Sequence, residues 1–408
     1  MSTTQNVYVG SYSNFIFHLS RDAGTNALTL VEAVPCHGLQ PSFVALSADG
    51  RTLYAALEHG SDELAPAVDK SVSGAVAAFA VDASTGRLTF INVVRSEGPW
   101  PCHVSVSGDG CVAVANYGGG CALLATDAST GALVAATAGG ISVNARPDRA
   151  ADYACVLPGQ GNRQDATHSH SANFVAGGKL LLVPDLGLDT VWAYNVDAAT
   201  ASLVPCAPSP GFVTADGEGP RHLVEDPASG HVYVCCELSN KVYKLALNAT
   251  TGAMTQVAVS APTVPVLGEY AAVPPPCEAG AFNGEVSCCA DIHLLVKAGS
   301  RRVAADITNV IVSNRGADTL TFLTANLEDK CDEHESGGKT PRNFLIDQSG
   351  EGQDTIFICN QNESTIRVKA GVWKDAGGFE DAGEPIDFGA SGEFGPEWKW
   401  PCCIVLGK

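Results

Sequence analysis

The sequence predicts an all-β fold: a seven-bladed β-propeller with four-stranded antiparallel blades, the last blade closed by strands from both chain ends. Three observations carry this. A unit of turn, apolar strand, Gly or Asp turn and second apolar strand recurs along the 408 residues. Most copies are followed by a third strand and a turn of the form Asp-x-x-Thr-Gly-x-Leu that leads into a fourth: DASTGRL at Asp82, DASTGAL at Asp127, DAATASL at Asp197 and NATTGAM at Asn248. No apolar pattern of helical period competes over a helix's length. A hydrophobic content of 45% with 17% charged residues excludes a disordered chain. One repeat domain over residues 1–408 accounts for a length that would otherwise suggest two or three domains.

In chain order the copies begin QPSFVALSADGRTLYAALE at Gln40, WPCHVSVSGDGCVAVANYG at Trp100, HSHSANFVAGGKLLLVPDLG at His168 and GPRHLVEDPASGHVYVCCELSN at Gly219. They continue with CCADIHLLVKAG at Cys288, which runs through NVIVSNRG, then TPRNFLIDQSGEGQDTIFICNQN at Thr340 and WPCCIVLGK at Trp400. The anchors Pro41, Pro101, His170, Pro220, Asp291, Pro341 and Pro401 lie 50 to 71 residues apart, room for four short strands and their turns. The seventh start has space for one strand only, while the N-terminus offers NVYVG, FIFHL and LTLVEAV with no first strand of their own. Joining the two completes a seventh blade and leaves no open sheet edge around the ring. Residues 138–167 and 262–287 are long loop-like insertions rich in Gly, Pro and Ala.

Charge and cysteine content narrow the class. A net charge of −20, from 24 basic against 44 acidic residues, argues against nucleic acid or an anionic membrane as a partner. The chain has no apolar run of membrane-spanning length and no secretory leader pattern at Met1–Gly10, so a soluble cytoplasmic protein is expected, as monomer or homodimer. The fifteen cysteines include three adjacent pairs, Cys235-Cys236, Cys288-Cys289 and Cys402-Cys403, and no C-x-x-C. Neighbours on a strand point to opposite faces, which suits buried thiols better than a shared metal or a mutual disulfide.

The repeat phase also predicts a site. In a four-stranded meander the turn before strand one and the turn after strand two share a face. The turn between strands one and two lies on the other face and reads SADG, SGDG and VAGG, plain hairpin chemistry. The first set reads WPCH, NYGGG, HSH, PDLG, GPRH, CELSN, SNRG, TPRN and CNQN. His103, Asn116, His168, His170, Asp185, Arg221, His222, Glu237, Arg315, Arg342 and Asn360 are therefore expected around one mouth of the channel, a small-molecule site. Taken singly, two histidines in HSH on one side of a strand are structural or metal-binding as readily as catalytic, and Arg221 and Glu237 form a packing pair as readily as a catalytic one. Gly118-Gly119-Gly120 is a tight turn rather than a phosphate loop, since no helix follows it.

The segments NRQDATHSH (Asn162–His170), PDLGLDTVWAY (Pro184–Tyr194), EGPRH (Glu218–His222), CELSN (Cys236–Asn240) and SNRGADTL (Ser313–Leu320), in this order, resemble the lactonase family of seven-bladed propellers, in which propeller-type 6-phosphogluconolactonases are typical. The resemblance runs from VGSY at Val9 to the closing WPCC, and departs from compact members in the two insertions and in Cys288–Ile307. It implies hydrolysis of 6-phosphoglucono-δ-lactone to 6-phosphogluconate, a step of the oxidative pentose phosphate pathway, with a sugar-phosphate lactone as the only partner and no cofactor. No Gly-x-Ser-x-Gly elbow is present, so a water nucleophile is expected. On that reading His170 and Glu237 do acid–base work while Arg221 and Arg315 stabilise charge. His168, Gln164, His222, Asn314, His103, Asn116 and Arg342 would bind or orient the substrate. No metal ligand is assigned, because the mouth lacks a carboxylate-rich set. The same architecture also carries 3-carboxy-cis,cis-muconate lactonizing enzymes, whose implied sites use a similar His, Arg and Glu constellation. A non-catalytic scaffold would instead spread its anchors over the outer surface.

Overall fold

The computed structural model describes residues 4–36, 39–59, 74–142, 163–265, 287–296, 307–349, 354–371, 379–388 and 400–407. Most of both insertions, residues 143–162 and 266–286, lies outside them. The strands form seven sheets. Blade one is Pro41–Leu46, Thr52–Leu57, Ala75–Val81 and Leu88–Arg95. The next five open with Pro101–Val106, Asn173–Val175, Pro220–Asp226, Cys288–Val296 and Pro341–Asp347. In blade seven the C-terminal strand Pro401–Leu406 pairs with Thr4–Ser11, which continues to Phe15–Asp22 and Leu28–Pro35. The two chain ends thus share one sheet, as expected. Among the described residues no helix is long and apolar enough to cross a membrane.

The core lies between blades, because both faces of every sheet are covered by neighbours. Successive residues of Thr4–Ser11 show this: Val7 and Val9 pack with Phe357 and Val368 of blade six, while Tyr8 packs with Val44 and Leu53 of blade one. The same alternation separates Cys235, which packs toward blade five, from Cys236, which packs toward blade three. Thirteen described cysteines are free thiols, all buried except Cys331.

The Asp-x-x-Thr-Gly turn has a local cause. Asp82 Oδ1 accepts from the amides of Ser84 and Thr85, and Asp127 and Asn248 repeat the arrangement. Gly86, Gly131 and Gly252 then take left-handed φ of 71°, 73° and 71°, and Ala201 adopts 47° in the copy that lacks the glycine. Tyrosines on second strands reach these turns in the next blade. Tyr8 donates to the Gly86 carbonyl at 2.7 Å, and Tyr54 to that of Gly131 at 3.0 Å.

One expectation needs correction. The HSH segment is not inside a strand: it precedes Asn173–Val175 and touches the sheet through a single bridge, Ser169 to Asp185. His168 and His170 both meet the Tyr117 ring, at 4.5 and 5.6 Å between centroids, but their nitrogens address different partners.

Candidate functional site

A bulge repeated at the start of the innermost strands builds the mouth. Pairing skips one residue between Pro41 and Phe43, Pro101 and His103, Pro220 and His222, and Pro341 and Asn343. The skipped residues are Ser42, Cys102, Arg221 and Arg342, so the Pro-Arg of GPRH and TPRN occupies equivalent places. The backbone enters three of these strands through left-handed residues directly before the proline, Trp100, Gly219 and Thr340, and Trp400 does the same before Pro401.

Glu237 is the centre of one cluster. It follows the second strand of blade four, is 1% exposed, and accepts from Arg221 Nε at 2.8 Å. Arg315 Nη2 lies 2.9 Å from the same oxygen, and Arg163 Nη2 bonds the other. His170 Nε2 stands 3.9 Å away. Burial alone would raise the Glu237 carboxyl, but Arg163, Arg315 and Arg221 hold it well below the carboxylate range. Burial and the neighbouring Arg221 charge hold His170 well below the usual imidazole range, so its ring is neutral. Arg221 also donates to the Ala290 carbonyl, and Arg315 to that of Cys289 at 3.4 Å.

Beneath this cluster a layer of buried side chains crosses the channel. His222 Nδ1 meets Asp291 Oδ1 at 2.9 Å, and Asn343 donates to Asp291 Oδ2 at 2.6 Å. The His222 ring lies 5.5 Å from that of His103 and 6.1 Å from Phe43. His103 accepts from the Ala172 amide at 3.3 Å. Burial and Arg221 press His222 down to about 4, and burial with His222 holds His103 well below its ordinary value. These two histidines form a floor.

Other predicted residues serve as scaffold. Gln164 Nε2 donates to the Leu186 carbonyl at 3.0 Å and to Asp189 at 2.8 Å. Asp189 also accepts from the amides of Gly217 and Gly219, both at 2.8 Å. Asp185 accepts from the His168 amide at 2.8 Å and Thr167 Oγ1 at 2.6 Å. NRQDATHSH, PDLGLDT and EGPRH are therefore one hydrogen-bonded unit. His168 is held between the Tyr117 carbonyl, 2.7 Å from Nδ1, and Asp165, 2.8 Å from Nε2. Asn314 and Asn116 are not brought to Glu237. Asn314 exchanges hydrogen bonds with Thr263, Thr319 and Thr321. Asn116 donates to the Ser96 carbonyl, as Asn360 does to that of Ser336 in blade six.

Arg342 belongs to a second cluster. Its guanidinium lies 5.0 Å from the Tyr12 ring centre, and Tyr12 donates to Glu58 Oε2 at 3.0 Å. Sequence reasoning passed over Arg163, Tyr117 and Glu58. Arg163 sits at the end of an insertion with no repeat position to mark it. Glu58 had a legible signal: TLYAALE and HVYVCCE end their second strands alike. Among the described residues no group of three or more His, Cys, Asp or Glu side chains is arranged to hold a metal ion.

Several known proteins are similar to this chain. The 6-phosphogluconolactonase of Bacillus subtilis (strain 168) is 27% identical over 367 residues, 88% of each chain. That of Formosa agariphila is 25% identical over 386 residues, covering 89% of this chain and 91% of its own. The solved periplasmic gluconolactonase of Pseudomonas aeruginosa superposes with a TM-score of 0.74 at 22% identity over 100% of this chain and 99% of its own, a likeness of fold. A protein-family model described as lactonase, 7-bladed beta-propeller, matches residues 6–389, and the chain belongs to that family.

Proposed function

We propose that this protein hydrolyses 6-phosphoglucono-δ-lactone to 6-phosphogluconate, the lactone-opening step of the oxidative pentose phosphate pathway. The observation that carries the reading is the clamp on Glu237, with neutral His170 beside it. Three guanidiniums against one carboxylate leave an excess of two positive charges in a buried mouth. That excess attracts an anionic sugar derivative despite the net charge of −20. The names of the bacterial relatives point the same way.

Hydrolysis begins when a water oxygen attacks the lactone carbonyl carbon and His170 takes the water proton, its neutral ring being the form that can accept one. Arg163 and Arg315, at the rim of the clamp with side chains 12% and 6% exposed, face the developing oxyanion or the phosphate. Arg221, 1% exposed, acts from beneath by holding Glu237 and adding charge. Glu237, with both oxygens held by guanidiniums, serves to align them and not as the base. His222 and His103 close the channel below the substrate.

The test is the rate on freshly generated 6-phosphoglucono-δ-lactone, corrected for spontaneous opening, beside glucono-δ-lactone and 3-carboxymuconate, each with and without chelator. A strong preference for the phosphorylated lactone is expected. No rate above background on it would overturn the reading, and turnover of the muconate would assign the cycloisomerase reaction instead.

A further inference from the structure

The mouth holds a second buried carboxyl that the mechanism above leaves unused. Glu58 follows the second strand of blade one at the repeat position Glu237 occupies in blade four, and it is 5% exposed. Its surroundings are unlike those of Glu237. Tyr12 Oη donates to Oε2 at 3.0 Å, and the Glu58 amide donates to the Gln40 carbonyl at 2.8 Å. The charged and titratable groups facing it are Tyr12 of blade seven, Arg342 of blade six and, farther into the mouth, Arg221. Cys102 of blade two adjoins it as a neutral buried thiol. No guanidinium lies within ion-pair distance of Glu58 among the described residues, whereas three clamp Glu237. The channel is narrow at this level: rings from blades one, two and four, Phe43, His103 and His222, meet within 6.1 Å immediately below. Arg221 acts on both carboxyls, so the two clusters adjoin above that floor.

We infer that Glu58 is the acid of the reaction, donating the proton that the departing ring oxygen requires. The inference rests on the lactonase reading. When the tetrahedral adduct collapses, the bond from the carbonyl carbon to the ring oxygen breaks and its electron pair goes to that oxygen. The oxygen takes the Glu58 proton, solvent reprotonates the carboxylate, and His170 releases to solvent the proton gained from water. The net change is lactone plus water to hydroxy acid. Burial pushes the Glu58 carboxyl up, with Arg342, Ser42 and Tyr12 only partly offsetting it, so the two carboxyls of the mouth sit on opposite sides of the ordinary range. Such a split separates an acid from a permanently charged anchor.

The experiment measures kcat against pH on 6-phosphoglucono-δ-lactone for the full chain, Glu58→Gln and Tyr12→Phe, with thermal melting as the folding control. A wild-type protein without activity would sink the lactonase reading before Glu58 is tested. With an active wild type, folded Glu58→Gln is expected to lose kcat by about 10²-fold or more with KM little changed, and to lose the alkaline limb of the profile. Tyr12→Phe removes a donor that favours the carboxylate, so its alkaline limb should move up by roughly one pH unit. A folded Glu58→Gln with wild-type kcat overturns the inference. If that variant does not fold, an unmoved alkaline limb in Tyr12→Phe overturns it instead.

Discussion

Glu237 and His170 lie 3.9 Å apart, and the proposed mechanism gives them different tasks, so their substitutions should separate. Glu237→Gln leaves Arg163, Arg221 and Arg315 buried together without their counter-charge. Breaking a buried ion pair from one side typically costs about 3–5 kcal/mol, and a loss of about 3 kcal/mol is expected as a lowered urea midpoint. His170→Ala removes the base and no salt bridge. Truncating a ring packed against Tyr117 and His222 should lower the urea midpoint less than Glu237→Gln does, while lowering kcat/KM by about 10²–10⁴-fold. Equal loss of stability in both would return His170 to the scaffold. Glu58 would have been found by aligning strand ends, whereas Arg163 offers no such signal because an insertion carries it to Glu237.

The segment from Arg163 to His168 is an element without regular structure, positioned wholly by contacts. Gln164 is tied to Asp189, Thr167 to Asp185, and the His168 ring lies on Tyr117. Gly187 allows this close approach: a Cβ there would stand 1.8 Å from the Ala166 carbonyl oxygen and 2.9 Å from His168 Cδ2. Gly187→Ala must therefore displace the segment, and Arg163 with it. Since misplacement by an ångström costs on the order of 10²-fold, kcat/KM should fall about that much. Arg163→Ala is expected to match it, and combining the two should add little. Full additivity would show that Gly187 acts elsewhere. Six of the seven strand starts and the Asp-x-x-Thr-Gly turns were legible in the sequence because period and turn chemistry are local. The departure of HSH from the strand was not, since it depends on where Asp185 and Tyr117 stand.

At the scale of the whole molecule, the buried histidines that cross the channel tie stability to pH. His103, His170 and His222 are all depressed, His222 to about 4, against about 6.5 in an unfolded chain. Below about pH 6.5 the unfolded state binds protons that the folded state refuses, so stability from these groups is complete above that value and is lost as the pH falls toward 4. Glu237 and Asp291, also depressed, add to the loss once the ordinary carboxylate range is reached. Glu58, raised, opposes it as a single group. The melting temperature should fall steadily between about pH 6.5 and 4, and replacing His222 with Gln should flatten that slope. A melting temperature constant over this interval would contradict the buried, neutral histidines.

The amino-acid sequence by itself determined the blade count, the closure of blade seven by Pro401–Leu406 against Thr4–Ser11, and the mouth on which His170, Arg221, Glu237 and Arg315 meet. These follow from strand period, turn residues and the parity of a meander, which act over a few neighbours and repeat. Tertiary structure alone decided what each polar residue does. Asn116 turned to the connector from blade one, Asn314 to its own blade, Gln164 became a strut, and Arg163 arrived from outside the repeat. It also set Glu237 and Glu58, alike in strand position, in opposite electrostatic surroundings. Ionisation depends on the charges and solvent that distant segments place around a group, and no local pattern encodes that.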